Sequence, residues 1–152
     1  MGALHSRLRR RKLTVAAAES CTGGLLAAVL TSHGGASGYF RGGAVVYSNE
    51  AKTILADVAP DLIHGHGAVS SVVAGALARS ARARLGARIG LGVTGIAGPG
   101  GATPGKKVGL TYVAVDSDEH SAVKKYEWPY DREGNRLASV GAALDLLEKA
   151  IE

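Results

Sequence analysis

Apolar and polar positions along this chain switch repeatedly between the strand period and the helix period, and its chemistry gathers at the switches. Residues 13–18 form a short apolar run containing Thr14 and Val15, which predicts a buried strand. Residues 25–30 keep Leu and Ala at helical spacing and predict a helix. Residues 31–38, with His33-Gly34-Gly35 and Ser37-Gly38, read as loop. Residues 39–47 carry Phe40, Val45, Val46 and Tyr47 and predict a second strand, its start delayed by Gly42-Gly43. Ser48-Asn49 then offers a cap to a short helix over 50–58, which Pro60 ends, and 61–67 is a turn region with a further helical piece.

Ser70 opens a long helix, with Val73, Ala76, Leu77, Ala81 and Leu85 on one face and Arg79, Arg82 and Arg84 mainly off it. A tight apolar strand over 88–94 leads into a Gly- and Pro-rich loop over 95–105. Strands over 108–115 and 122–128 meet through a hairpin at Asp116-Ser117-Asp118-Glu119. A last helix, from about Asp131 to Ile151, turns Leu137, Val140, Ala143, Leu144 and Leu147 inward. The order β-α-β-α-α-β-β-β-α predicts an α/β fold, a three-layer α/β/α sandwich around a mixed sheet with at least one antiparallel pair. Residues 13–152 are read as one domain behind a basic N-terminal stub, residues 1–12.

Composition narrows the class. Phe, Trp and Met each occur once in 152 residues, so Ala, Val, Leu and Ile must build the core. No run approaches a membrane span and no signal peptide is visible, so a cytoplasmic protein is expected. Cys21 is the only cysteine, which leaves no intrachain disulfide and no cysteine zinc site. Much of the +5 net charge is local, in Arg7, Arg9, Arg10, Arg11 and Lys12. Those charges read as a frayed, solvated face, and the scarcity of aromatic residues argues against nucleic acid as a partner.

The candidate chemistry begins at Glu19-Ser20-Cys21-Thr22-Gly23-Gly24, a sharp turn from strand to helix. The first N–H groups of such a helix lack partners and favour an anion or a developing oxyanion. Ser20 at that mouth fits an N-cap, a nucleophile or a phosphate cradle, and Gly23 and Gly24 let a ligand approach the backbone. Lys52 sits in the first turn of the helix capped by Ser48 or Asn49. There the dipole disfavours its charge and helical geometry leans it toward the strand end. It is either a general base for a serine or a solvated surface lysine. Tyr47 is a proton relay or a half-buried strand tyrosine.

Gly95-Ile96-Ala97-Gly98-Pro99-Gly100-Gly101, entered from Thr94, is an anion cradle or a plain connection. It matches neither a dinucleotide fingerprint nor a P-loop, since Gly105-Lys106-Lys107 lacks the Ser or Thr for magnesium. His64 and His66 are two apart without a third ligand in sight, and Cys21 beside Ser20 is a rival nucleophile or an inert buried residue. Arg132 and Arg136, one helical turn apart, meet a phosphate or line the surface.

Four stretches together resemble the CinA C-terminal domain family, in its order and spacing. They are Ala18-Glu19-Ser20-Cys21-Thr22-Gly23-Gly24, Tyr47-Ser48-Asn49-Glu50-Ala51-Lys52, His66-Gly67-Ala68-Val69-Ser70 and Val93-Thr94-Gly95-Ile96-Ala97-Gly98-Pro99-Gly100-Gly101. The likeness runs from about Leu13 to Leu147. It implies a nicotinamide mononucleotide amidohydrolase, releasing nicotinate mononucleotide and ammonia in pyridine-nucleotide recycling, without metal or other cofactor. By resemblance Ser20 is the catalytic serine, with Lys52 and Tyr47 as its proton-handling partners. Glu19, Cys21, Thr22, Gly23, Gly24, Thr94, Gly95, Gly98, Gly100 and Arg132 would contact substrate.

The family also implies a homo-oligomer, and it often follows a larger N-terminal domain. Tyr130 stands where the family usually has Gly, and Ser71 where an acidic residue is frequent. The competing class is a non-catalytic nucleotide-binding or interaction module of the same fold.

Overall fold

The computed structural model of the chain describes residues 2–152. Its elements are α1 (Gly2–Arg10), β1 (Val15–Glu19), α2 (Leu25–Leu30), a 3-10 turn (Ala36–Gly38), β2 (Phe40–Val45), α3 (Asn49–Ala56), α4 (Pro60–His66), α5 (Ser71–Arg84), β3 (Ile89–Gly95), β4 (Leu110–Ser117), β5 (Ser121–Glu127) and α6 (Arg132–Ala150). The sheet order is β2-β1-β3-β4-β5. β1 runs parallel to both neighbours, while β3–β4 and β4–β5 are antiparallel. This is the expected mixed sheet between two helical layers.

β1 is buried along its whole length, because it has a strand on each side and helices on each face. Its alternation divides the core. Val15 and Ala17 pack with Leu4 and Leu8 of α1, Leu26 and Leu30 of α2, and Leu146 and Leu147 of α6. Ala16 and Ala18 pack with Val73 and Leu77 of α5, Ala56 of α3 and Ile63 of α4.

α5 lies on the backbone of β3 rather than on its side chains. A Cβ on Gly90 would fall 1.9 Å from the Ala78 carbonyl oxygen, and one on Gly92 2.3 Å from that of Ala74. Only glycine under alanine allows this approach, and it buries Ala74, Gly75 and Ala78 as well as Val73, Leu77 and Ala81. The expected face is therefore rotated, and Leu85 is exposed.

α6 needs a similar correction. Leu137, expected inward, is 54% exposed. The inner face instead includes Asn135 and Ser139 beside Val140, Ala143 and Leu147. Asn135 Nδ2 donates to the Ala97 carbonyl at 3.0 Å, and Trp128 Nε1 donates to Ser139 Oγ at 3.1 Å. These polar residues are buried because each has a partner.

The basic stub is the larger correction. Its residues form α1, whose Leu4 and Leu8 enter the same core as α2 and α6. Arg7 pairs with Glu148 at 3.3 Å, and Arg11 donates to the Ile151 carbonyl. His5 lies against His33 and Tyr39. The charges do face solvent, but the two leucines dock the helix beneath them. Among the described residues no helix is long and apolar enough to cross a membrane.

Candidate active site

β1 and β3 end side by side, with Glu19 paired to Val93. The next residue, Ser20, donates its N–H to the Val93 carbonyl at 2.9 Å, so its side chain leaves the sheet at the strand's carboxyl end. α3 begins close by. The Ser48 hydroxyl accepts from the Ala51 N–H at 3.0 Å and caps it, which puts Lys52 one turn in.

Lys52 Nζ donates to Ser20 Oγ at 3.1 Å and to the Val46 carbonyl at 3.0 Å, with the Tyr47 and Ser48 carbonyls each at 3.4 Å. The side chain is only 2% exposed, and among the described residues no carboxylate forms an ion pair with it. Burial lowers its pKa below the ordinary 10.5, while Cys21 and Glu50 pull the other way. As a neutral amine it keeps two N–H donors for the strand-end carbonyls and has one lone pair. The third direction, toward Ser20 Oγ, then receives the hydroxyl proton.

Ser20 and Lys52 open into a cavity of about 350 Å³. Cys21, Tyr47, Thr94, Gly95, Gly98, Gly100 and Arg132 also line it, so most of the expected site residues come together. Arg132, at the start of α6, donates to the Gly98 carbonyl at 2.7 Å and to the Tyr47 hydroxyl at 2.8 Å. The hydroxyl of Tyr47 is thus engaged by Arg132, and it is the Tyr47 carbonyl that meets Lys52. Thr94 Oγ1 donates to the Ala68 carbonyl at 2.8 Å, so Thr94 lines the cavity while fixing a neighbouring loop.

Glu19 is not placed to touch substrate. It is 1% exposed, and its carboxylate accepts from Thr22 Oγ1 at 2.6 Å and from the N–H groups of Gly24, Leu26 and Ala27. It caps α2 from inside. The helix mouth expected to receive an anion is filled by the chain's own carboxylate, and Thr22, Gly23 and Gly24 lie outside the cavity lining. Gly23 instead turns the chain with φ +59°, and Arg136 Nη2 donates to the neighbouring Thr22 carbonyl at 3.0 Å. Among the described residues, the N–H groups of Cys21 and Thr22 donate to no other residue.

Burial pushes the Cys21 thiol up to about 11, with Glu19 adding to the effect. A protonated thiol at neutral pH is a poor nucleophile, which leaves Ser20 without a rival. His64 and His66 lie exposed on α4, and among the described residues no group of three or more His, Cys, Asp or Glu gathers as a metal site.

A wider cavity of about 750 Å³ adjoins the first, sharing Ala97, Gly98 and Arg132, and adds Tyr130 and Arg136 to its walls. Asn49, Ala68 and Val69 also line the first cavity, though the sequence offers Asn49 only as a helix cap and gives Ala68 and Val69 no role. Their signals were the motifs that contain them, Tyr47–Lys52 for Asn49 and His66–Ser70 for Ala68 and Val69, whose own side chains are too plain to point to a role.

A family model described as the CinA C-terminal domain matches residues 1–151. A CinA-like protein of Koribacter versatilis is 51% identical over 144 residues, 95% of this chain and 35% of that protein. A putative competence-damage inducible protein of Moorella thermoacetica is 46% identical over 144 residues, with the same coverage. The chain spans about a third of the length of these curated relatives. The competence/damage inducible protein CihA from Agrobacterium tumefaciens superposes with a TM-score of 0.93 at 35% identity, covering 99% of this chain and 94% of that one. A competence-damaged protein (CinA) superfamily protein from Escherichia coli gives a TM-score of 0.93 at 29% identity, with 97% and 86% covered.

Proposed function

The chain belongs to the CinA C-terminal domain family, and from that premise we propose that it hydrolyses the carboxamide of nicotinamide mononucleotide to nicotinate mononucleotide and ammonia. The contact of Lys52 Nζ with Ser20 Oγ carries the reading. A serine hydroxyl against a buried lysine without a counter-ion is the arrangement that activates a weak nucleophile.

In this reading Ser20 Oγ attacks the carboxamide carbon as its proton passes to the Lys52 amine. The Cys21 N–H, at the cavity wall and donating to no other residue, is available to hold the oxyanion, which replaces the capped helix mouth in that role. The Lys52 ammonium then returns the proton to the departing nitrogen, ammonia leaves, and an acyl-Ser20 ester remains. Water, deprotonated by the same amine, cleaves the ester to the acid and restores the serine. Tyr47 assists proton passage to the leaving ammonia, with Arg132 holding its hydroxyl. The wider cavity, with Arg136, offers room for the ribose phosphate.

Ammonia release from nicotinamide mononucleotide tests the proposal. Wild type is expected to turn over, and Ser20→Ala to lose at least about a thousandfold in kcat while still binding substrate. Undiminished turnover by Ser20→Ala, or binding without turnover by wild type, overturns the serine hydrolase. The second outcome supports a nucleotide-binding module.

A further inference from the structure

Residues 66–69 lead from the end of α4 toward α5 without pairing to any strand, so side chains take their carbonyls. Lys106 Nζ donates to the His66 carbonyl at 2.9 Å and to the Val69 carbonyl at 2.7 Å. Ser70 Oγ donates to the Gly67 carbonyl at 2.9 Å, and Thr94 Oγ1 takes that of Ala68. Every carbonyl from 66 to 69 is thereby satisfied.

Ser70 and Thr94 act from the elements that border this segment. Lys106 reaches in from the far end of the β3–β4 connection. Ile96, Ala97, Gly98, Gly100 and Gly101, at the near end of that connection, line the cavity together with Ala68 and Val69. A turn closed by reciprocal backbone bonds between Thr103 and Lys106, 2.8 and 2.9 Å, anchors the lysine at its root. Gly67 has φ +81°, and a Cβ there would stand 2.5 Å from Lys106 Nζ, so the glycine is what lets the ammonium seat. Among the described residues Lys106 has no acidic partner, whereas its neighbour Lys107 pairs with Glu127 at 3.2 Å.

We infer that Lys106 is a positioning residue that straps the Ala68–Val69 wall to the 96–101 wall and so sets the width of the catalytic cavity. The identity of the occupant rests on the amidohydrolase reading; the strap does not. These walls hold a substrate ring alike before and during reaction, so slackening them weakens uniform binding, which appears in KM rather than kcat.

Lys106→Met, Lys106→Arg and wild type are compared by steady-state kinetics on nicotinamide mononucleotide, by thermal unfolding, and by peptide-level hydrogen exchange without substrate. Lys106→Met is expected to raise KM about tenfold with kcat held within about threefold. Exchange should quicken in both 66–70 and 96–101, with little change in Tm, and Lys106→Arg should recover most of the KM. Unchanged KM and exchange overturn the strap, as does quickening of 66–70 alone, or kcat and Tm falling together. If wild type does not turn over the nucleotide, the exchange arm still decides. Coupled quickening then upholds the strap and faults the substrate, and unaltered exchange faults the strap.

Discussion

At the scale of single residues, Lys52 is the costly one. Its amine is buried and compensated only by carbonyls and a hydroxyl, and burial lowers its pKa below 10.5. Between that lowered value and 10.5 the unfolded chain holds a proton that the folded chain lacks, so stability rises with pH across the window. Below the window the cost is constant. Lys52→Met is therefore expected to be more stable than wild type at pH 7 in urea unfolding, with the gap narrowing as pH rises toward 10.5. The same substitution should cost about 10²–10⁴-fold in kcat/KM, and the wild-type profile should rise with pH to a midpoint below 10.5. Ser20 and Lys52 were legible because strand ends and helix starts constrain where a side chain can go. The role of Glu19 was not, since its carboxylate bonds to N–H groups seven and eight residues further on, beyond any local capping pattern.

At the scale of elements, α2 depends on that carboxylate. Six residues are too few to hold a helix by propensity, and Gly24 at its N-cap has no side chain to close the first turn. Glu19 bonds with both oxygens, Oε1 to Ala27 and Oε2 to Thr22, Gly24 and Leu26. Glu19→Gln must turn an NH2 toward some of these donors, and a loss of about 2–3 kcal/mol is expected from urea unfolding with the m-value unchanged. A loss under about 0.5 kcal/mol would mean the cap is dispensable. The strands were readable from short apolar runs bounded by turn residues. The faces of α5 and α6 were less so, because α5 rests on Gly90 and Gly92 and α6 turns Asn135 and Ser139 inward. A rule that counts only large apolar residues passes over both.

At the scale of the molecule, the layers and sheet followed from the order of apolar runs, and α1 did not. Its charges outnumber its two inward leucines, and nothing local says that Leu4 and Leu8 meet α2 and α6. Leu8 is fully buried, so Leu8→Ala should cost about 2–5 kcal/mol in denaturant unfolding, where a frayed stub would register almost nothing. The place of β1 between β2 and β3 bears on how the chain is made. Its partners β2 and β3 lie later in the sequence, and β3 ends only at Gly95. On a ribosome adding about 5–20 residues per second, the nascent strand waits roughly 4–15 s before its second neighbour even exists. Through that interval one edge of its Val-Ala-Ala-Ala stretch has no strand to pair with, and Ser20 and Lys52 are synthesised before Ala68, Val69 and Thr94, which complete the lining of their cavity.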